Sequence, residues 1–363
     1  MFKSLVLVAA AVGATRAASA PSSFKWSSSG PLIGPKNDSH NIKGIKDPSI
    51  ILVNDTYHVF ASTAVASGYN MVYLSFKEFA QAGAATFHYL DGTPIGTSYR
   101  AAPQVFWFEP QKLWYLVYQT GSASYSTNKD INNPAGWTAP KTLLAQPQII
   151  KSNIGSGYWV DMWTICDAAN CYLFSSDDNG HLYRSSTSLA KFPDGMANTV
   201  IAVSAAKNDL FEASNVYNTG DGKYLLIVEC IGSKGRYFRS WTSTSLSGTW
   251  TALAATESNP FAGASNVAFS GKAWTTDISH GEAIRTVYDQ TMYLAPCGIR
   301  YLYQGMAPGS SGEYNALPWR LGLLTQTNNG TGCDDLKPTS PSTPGTTLST
   351  STTSATSTTT AVA

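Results

Sequence analysis

Five segments of this 363-residue chain repeat one order: a polar or acidic start, an alternating strand-like run, a Gly/Asn/Asp turn, and a second run led by tyrosine. The units open at Lys46-Asp47-Pro48-Ser49-Ile50, Ala102-Pro103-Gln104-Val105-Phe106, Val160-Asp161-Met162-Trp163-Thr164, Phe211-Glu212-Ala213-Ser214-Asn215 and Gly281-Glu282-Ala283-Ile284-Arg285. Their second runs begin at Tyr57, Tyr115, Tyr172, Tyr224 and Tyr293, at intervals of 58, 57, 52 and 69 residues. A single unit of this size cannot bury its own apolar face, so repeats must stack on one another. Third runs follow, such as Met71-Val72-Tyr73-Leu74, His181-Leu182-Tyr183-Arg184, Tyr237-Phe238-Arg239-Ser240 and Tyr301-Leu302-Tyr303, and helical periodicity is nearly absent. Period and strand pattern together predict an all-β fold, a five-bladed β-propeller.

In a propeller the first strand of each blade lines the central channel, so matched positions on different blades converge. Asp47 precedes Tyr57 by 10 residues, Asp161 precedes Tyr172 by 11, and Glu212 precedes Tyr224 by 12. Three carboxylates are therefore expected around one mouth of the channel, while the second blade offers only Pro103 and Gln104 there. Any one acid at a strand start could simply cap a turn; three that converge are better explained by chemistry. Glycosidic hydrolysis needs one protonated carboxyl to donate to the leaving oxygen and one ionised carboxylate to activate water or attack the sugar. A third acid nearby raises the pKa of its neighbours and keeps one of them protonated. Trp159, Trp163 and Phe211 flank two of the acids, where they could stack on sugar rings or pack between blades.

The ends read differently. Lys3, the apolar run Leu5–Val12 and the small residues up to Ala20 form the pattern of a secretory signal, with cleavage after Ala17 favoured because Pro21 would follow a cut after Ala20. The apolar run is too short to span a bilayer. Residues 337–363 are nearly all Thr, Ser and Pro, which cannot bury a core and predict a disordered, O-glycosylated stalk. This divides the chain into a signal peptide over 1–20, a propeller over 21–336 and a tail over 337–363. The mature protein is expected outside the cell, monomeric, with no membrane partner. Charged residues make up 13%, with Lys+Arg 24 against Asp+Glu 23, which also argues against nucleic acid. Of five cysteines, Cys166 and Cys171 flank a turn between two strand-like runs and are the best intrachain pair, which leaves Cys230, Cys297 and Cys333 unassigned. Asn37, Asn54 and Asn329 begin glycosylation sequons.

Longer motifs narrow the chemistry. Lys46-Asp47-Pro48-Ser49, Gly157-Tyr158-Trp159-Val160-Asp161-Met162-Trp163 and Asp209-Leu210-Phe211-Glu212-Ala213-Ser214-Asn215 together resemble glycoside hydrolase family 62, the arabinoxylan α-L-arabinofuranosidases. Tyr99-Arg100-Ala101-Ala102-Pro103-Gln104, Ile278-Ser279-His280-Gly281-Glu282 and Leu317-Pro318-Trp319-Arg320 extend the resemblance over roughly residues 23–327. It implies a five-bladed propeller and an inverting mechanism, with Asp47 as general base, Glu212 as general acid, and Asp161 tuning Glu212 and orienting the sugar. It also implies that Lys46, Trp159, Tyr314 and Asn315 contact the substrate, and that a structural Ca2+ lies near His280. Many relatives tie the N-terminal segment to the C-terminal end by a disulfide, yet residues 21–30 hold no cysteine. Cys333 is then expected to lack that partner, to be free to link to another molecule, and to leave the ends prone to fraying. Two other readings remain open: a related propeller arabinanase or xylosidase, and a non-catalytic sugar-binding propeller, which has no need of three converging acids.

Overall fold

The computed structural model describes residues 18–333. The signal-like residues 1–17 and the tail from 334 onward lie outside the described residues. Four four-stranded antiparallel sheets follow in chain order, each running from the central channel outward. The first blade holds Gly44–Val53, Thr56–Val65, Gly68–Phe76 and His88–Tyr89, and the second Ala101–Phe108, Leu113–Gln119, Ala123–Asn128 and Lys141–Leu144. The third holds Val160–Cys166, Asn170–Ser176, His181–Ser188 and Ala197–Ser204, and the fourth Glu212–Gly220, Lys223–Gly232, Gly235–Ser243 and Thr251–Ala252. The only α-helix among the described residues is Gln148–Asn153. The all-β, five-bladed propeller expected from the repeat is the observed fold.

The fifth blade closes the ring with strands from both ends. Ser279–Ala283 lies innermost, then Arg300–Gly305 and Arg320–Gln326, and the N-terminal strand Trp26–Ser28 pairs antiparallel with the last of these, Trp26 opposite Gln326. The Trp26 indole is buried and donates to the Phe261 carbonyl at 2.5 Å, and Val267–Phe269 pairs parallel with Trp26–Ser28 as the outermost strand. Here the sequence reading needs correction: the second strand of this blade begins at Arg300, not at Tyr293, and Tyr301-Leu302-Tyr303 belongs to the second strand rather than the third. The residues around Tyr293 instead bridge to Asn218 of the fourth blade, and a long irregular connection separates inner strand from hairpin partner. The stretched last interval has a different source, the long segment between Ala252 and Ser279 that precedes the inner strand of this blade.

Each blade packs its flat faces against its neighbours through large buried aromatics, including Phe60, Tyr115, Tyr118, Tyr183, Tyr217 and Tyr301. Trp163 belongs to this layer: its indole donates to the Val216 carbonyl at 2.8 Å and its ring meets Tyr217 edge-on, so it packs between blades. Cys166 and Cys171 form a disulfide across the expected turn. Cys333, expected without an intrachain partner, is bonded to Cys297, because the connection after the inner strand of the fifth blade brings Cys297 beside the C-terminal segment, Cα to Cα 5.7 Å. The fraying expected of the ends is opposed there too: the Ser19 amide donates to the Thr331 carbonyl at 3.1 Å, and Asn328 bonds backbone groups of Ser23 and Lys25. Cys230 is free and buried. Asn37, Asn54 and Asn329 are all exposed.

Candidate active site

Every inner strand carries a β-bulge near its start, between Lys46 and Ser49, Ala101 and Gln104, Val160 and Trp163, Glu212 and Asn215, and Ser279 and Gly281. In four of them a non-glycine residue at the bulge is left-handed: Asp47 at φ 50°, Ala102 at 50°, Asp161 at 60° and Ala213 at 54°. A bulge bends the strand and re-aims its side chains, and aspartate tolerates the left-handed region better than most residues. Asp47 and Asp161 therefore occupy one structural position. Glu212 does not; it stands one residue earlier, where the first blade has Lys46 and the third Val160. The sequence count placed all three together because it ran through hairpin turns of unequal length, Asn54-Asp55, Asp167–Ala169 and Asp221-Gly222. The longer glutamate side chain still reaches the same mouth.

Lys46, Asp47, Trp159, Asp161, Glu212, His280, Tyr314 and Asn315 all line one cavity of about 660 Å³, whereas Trp163 and Phe211 do not. Tyr99, Tyr158 and Tyr314 are exposed on it. Trp159 is mostly buried, with its indole donating to Ser175 Oγ at 2.8 Å, which fixes the ring as a wall.

Two polar clamps hold the aspartates. The Asp47 amide donates to Gln304 Oε1 at 2.7 Å and the Asp161 amide to Gln119 Oε1 at 2.9 Å. His280 Nδ1 stands 3.3 Å from Asp47 Oδ1 and 3.7 Å from Asp161 Oδ1. Identical residues at identical bulges are nevertheless shifted in opposite directions. Burial pushes the Asp47 carboxyl up, but the Lys46 ammonium and His280 outweigh it and hold the group below the usual carboxylate range. Burial also raises Asp161, and here the carboxylates of Glu212 and Asp47 add to it, so Asp161 lies well above the usual range. Lys46, whose Nζ donates to Tyr314 OH at 3.1 Å, stays charged: burial disfavours its ammonium, but Asp47 more than compensates. One carboxyl held toward its ionised form and one held toward its protonated form thus face each other across one histidine.

Several residues at this site gave no sequence signal. Arg236, on the third strand of the fourth blade, presents one guanidinium nitrogen to both Glu212 and Glu229, with Phe211 and Trp319 stacked near its plane. Glu229 is fully buried, and its other oxygen accepts from Ser279 Oγ at 2.9 Å and the His280 amide at 2.6 Å. One side chain thereby links the acid on the fourth blade to the histidine on the fifth. Asp178, in a hairpin turn of the third blade, is a further carboxyl in the cavity. Only the spatial convergence of second and third strands reveals these groups.

The chain matches the model of glycosyl hydrolase family 62 over residues 25–325. It belongs to that family. It is 45% identical over 306 residues to α-L-arabinofuranosidase C of Cellvibrio japonicus, an alignment that covers 83% of this chain but 47% of that protein, so the chain spans about half the length of this relative. Family 62 structures superpose closely. The catalytic domain of a Coprinopsis cinerea GH62 α-L-arabinofuranosidase shares 65% identity at a TM-score of 0.84, covering 85% of this chain and 99% of that one. The α-L-arabinofuranosidase PaAbf62A of Podospora anserina, solved with cellotriose, shares 60% identity at a TM-score of 0.84, covering 86% and 99%.

Proposed function

We propose that this family 62 protein is a secreted, monomeric, inverting α-L-arabinofuranosidase that releases single L-arabinose side groups from arabinoxylan. The observation that carries the reading is the pair of equivalent aspartates in one cavity with opposite biases: Asp47, beside Lys46 and His280, held toward the ionised form suited to a base, and Asp161, beside Glu212, held toward the protonated form. Asp47 takes a proton from water as that water attacks the anomeric carbon. Glu212 gives its proton to the departing xylan oxygen, and Asp161 orients the sugar and discourages loss of that proton. Lys46, Tyr314, Asn315 and Trp159 form the sugar's walls, as aromatic and hydrogen-bonding groups do in carbohydrate sites. The relatives named above as α-L-arabinofuranosidases, one of them bound to a β-1,4-linked trisaccharide, support this substrate class. Two disulfides suit an oxidising, extracellular setting.

The family resemblance implies a calcium near His280, in the channel lining. Among the described residues no group of three His, Cys, Asp or Glu stands ready to hold a metal. Ser214 Oγ, however, is buried without a partner in the wall that His280 shares with Gln104 and Asn215. These groups fit a largely hydrated ion, since calcium favours oxygen ligands. Such an ion would add positive charge beneath the site and stabilise the channel; it takes no part in the steps above.

Proton NMR of arabinoxylan during digestion tests the whole reading. The expected first product is β-L-arabinofuranose. The α anomer would exclude inversion, cleavage of arabinan in place of side groups would favour the arabinanase reading, and no release at any enzyme concentration would leave a sugar-binding propeller.

A further inference from the structure

At every inner-strand bulge a backbone amide crosses to the preceding blade, where a side chain accepts from it. Ala102 donates to Ser62 Oγ at 2.8 Å, Asp161 to Gln119 Oε1 at 2.9 Å, His280 to Glu229 Oε2 at 2.6 Å and, around the seam, Asp47 to Gln304 Oε1 at 2.7 Å. These four acceptors occupy one place. Each lies on a second strand opposite the residue before its own blade's bulge: Ser62 faces Lys46, Gln119 faces Ala101, Glu229 faces Glu212 and Gln304 faces Ser279. The third blade has Ser176 there, opposite Val160, but its buried hydroxyl has no partner; the Ala213 amide is taken by Asp161 Oδ2 at 2.7 Å instead. A bulged residue is left out of its own ladder, and a buried amide without an acceptor is costly. The bond between blades is thus a repeating part of the fold, and what it holds differs from blade to blade.

Gln304 joins the two ends of the proposed chemistry. Its Nε2 donates to Ser279 Oγ at 2.9 Å, the Ser279 hydroxyl donates to Glu229 Oε2 at 2.9 Å, and Arg236 bridges the other Glu229 oxygen to Glu212. An unbroken run of polar contacts therefore passes from Asp47 on the first blade, through the fifth, to Glu212 on the fourth. Gln304 is 1% exposed, and a side-chain amide suits both of its partners: the Asp47 amide needs an acceptor, and Ser279, whose proton is spent on Glu229, needs a donor. Lys46 and His280 meet the Asp47 carboxyl, but neither holds the bulge amide. A non-glycine residue in left-handed backbone, as Asp47 is at φ 50°, persists only where its surroundings over-determine it, so loss of the clamp frees this backbone to relax. We propose that Gln304 is a positioning residue for the base, which sets the aim of the Asp47 carboxyl and its separation from Glu212. This role rests on Asp47 being the base and Glu212 the acid. Inversion needs the two carboxyls about 6.5–9.5 Å apart, with a water between them.

Gln304→Met keeps most of the bulk and removes both the acceptor and the donor. On arabinoxylan kcat should fall by about 10–10²-fold, because a misplacement of about 1 Å can cost that much, while KM stays within about two-fold of the wild type. A clamp that serves stability alone would lower the melting temperature and leave the kcat of the folded enzyme unchanged, and that result overturns the proposal. A crystal structure of Gln304→Met, compared with that of the wild type, gives a readout independent of turnover. The Asp47 carboxyl should be displaced relative to Glu212; an Asp47 that superposes on the wild-type position overturns the proposal. Should Gln304→Met fail to fold, Ser279→Ala unhooks Gln304 from Glu229 while leaving Asp47 its acceptor. Its kcat should drop several-fold with KM unchanged, and a wild-type kcat overturns the proposal. If the wild type releases no arabinose, the assigned function fails, whereas the position of Asp47 in the variant still decides whether Gln304 holds it.

Discussion

The amide of Ala213 donates to Asp161 Oδ2 at 2.7 Å, across the gap between the fourth and third blades and one residue beyond Glu212. The contact locks the proposed tuner to the strand that carries the proposed acid. Asp161→Asn preserves the shape but removes the titratable carboxyl that stands beside Glu212 and Asp47. Arabinose release should fall by about 10²-fold or more, with little change in melting temperature. Activity within a few-fold of the wild type would remove Asp161 from the chemistry.

The division between acid and base can be read with leaving groups. Glu212→Gln should lose about 10²–10⁴-fold on arabinoxylan, where the xylan oxygen must be protonated, and far less on an aryl arabinofuranoside whose phenolate leaves unaided. Asp47→Asn should fail on both substrates, because water activation is common to them. Steady-state kinetics on the two substrates check this, and binding of xylan by Glu212→Gln separates lost chemistry from lost recognition. Equal losses in Glu212→Gln on both substrates would contradict its role as acid.

Arg236 is the pivot of a buried network, and removing one partner of such a network leaves its counter-charge stranded. Arg236→Met strands Glu229, whose side chain is 0% exposed and whose carboxyl is already raised by burial, with Arg236 pulling the other way. A loss of about 3–5 kcal/mol is expected in denaturant unfolding at neutral pH. With the guanidinium gone, the folded-state pKa of Glu229 rises further above its unfolded value, so the loss should shrink on acidification and grow as the pH rises. Adding Glu229→Gln should recover part of the stability, though not the activity. No recovery would mean that Arg236 acts through packing on Phe211 and Trp319 alone.

The Cys297–Cys333 bond closes a loop with a sequence separation of 36, which in chain-entropy terms contributes about 2–4 kcal/mol. A Cys297→Ser/Cys333→Ser variant should melt lower, while intact mass spectrometry of the wild type without reductant should show a monomer. A disulfide-linked dimer would revive intermolecular pairing. Cys230 is buried, and burial pushes its thiol up to about 12, so a thiol reagent should label nothing in the native protein and one cysteine after unfolding.

Much of this was legible in the chain because strand alternation, turns and leading tyrosines are local signals. Asp47, Asp161 and Glu212 could be brought to one mouth by spacing alone. Their relative register could not, since a bulge is a backbone event with no fixed residue signature and hairpin turns vary in length. Arg236, Glu229 and Asp178 escaped for a different reason: they sit on second strands, third strands and turns, and which of these faces the channel depends on blade twist. The Cys297–Cys333 bond was hidden in the same way, by a connection whose path no local pattern fixes.

The seam of the ring has a consequence for synthesis. Asp47 is clamped by Gln304, and Ser49, two residues on, donates to Glu282 at 2.5 Å, so the proposed base stands against the blade made last, which also takes in the strand made first. A nascent chain with four complete blades therefore owns all three acids without holding the first of them in place. Catalytic competence should arrive late and at once, when the residues through Gln326 clear the ribosome or translocation channel and the two ends meet. Until then the growing polypeptide carries its chemistry unassembled.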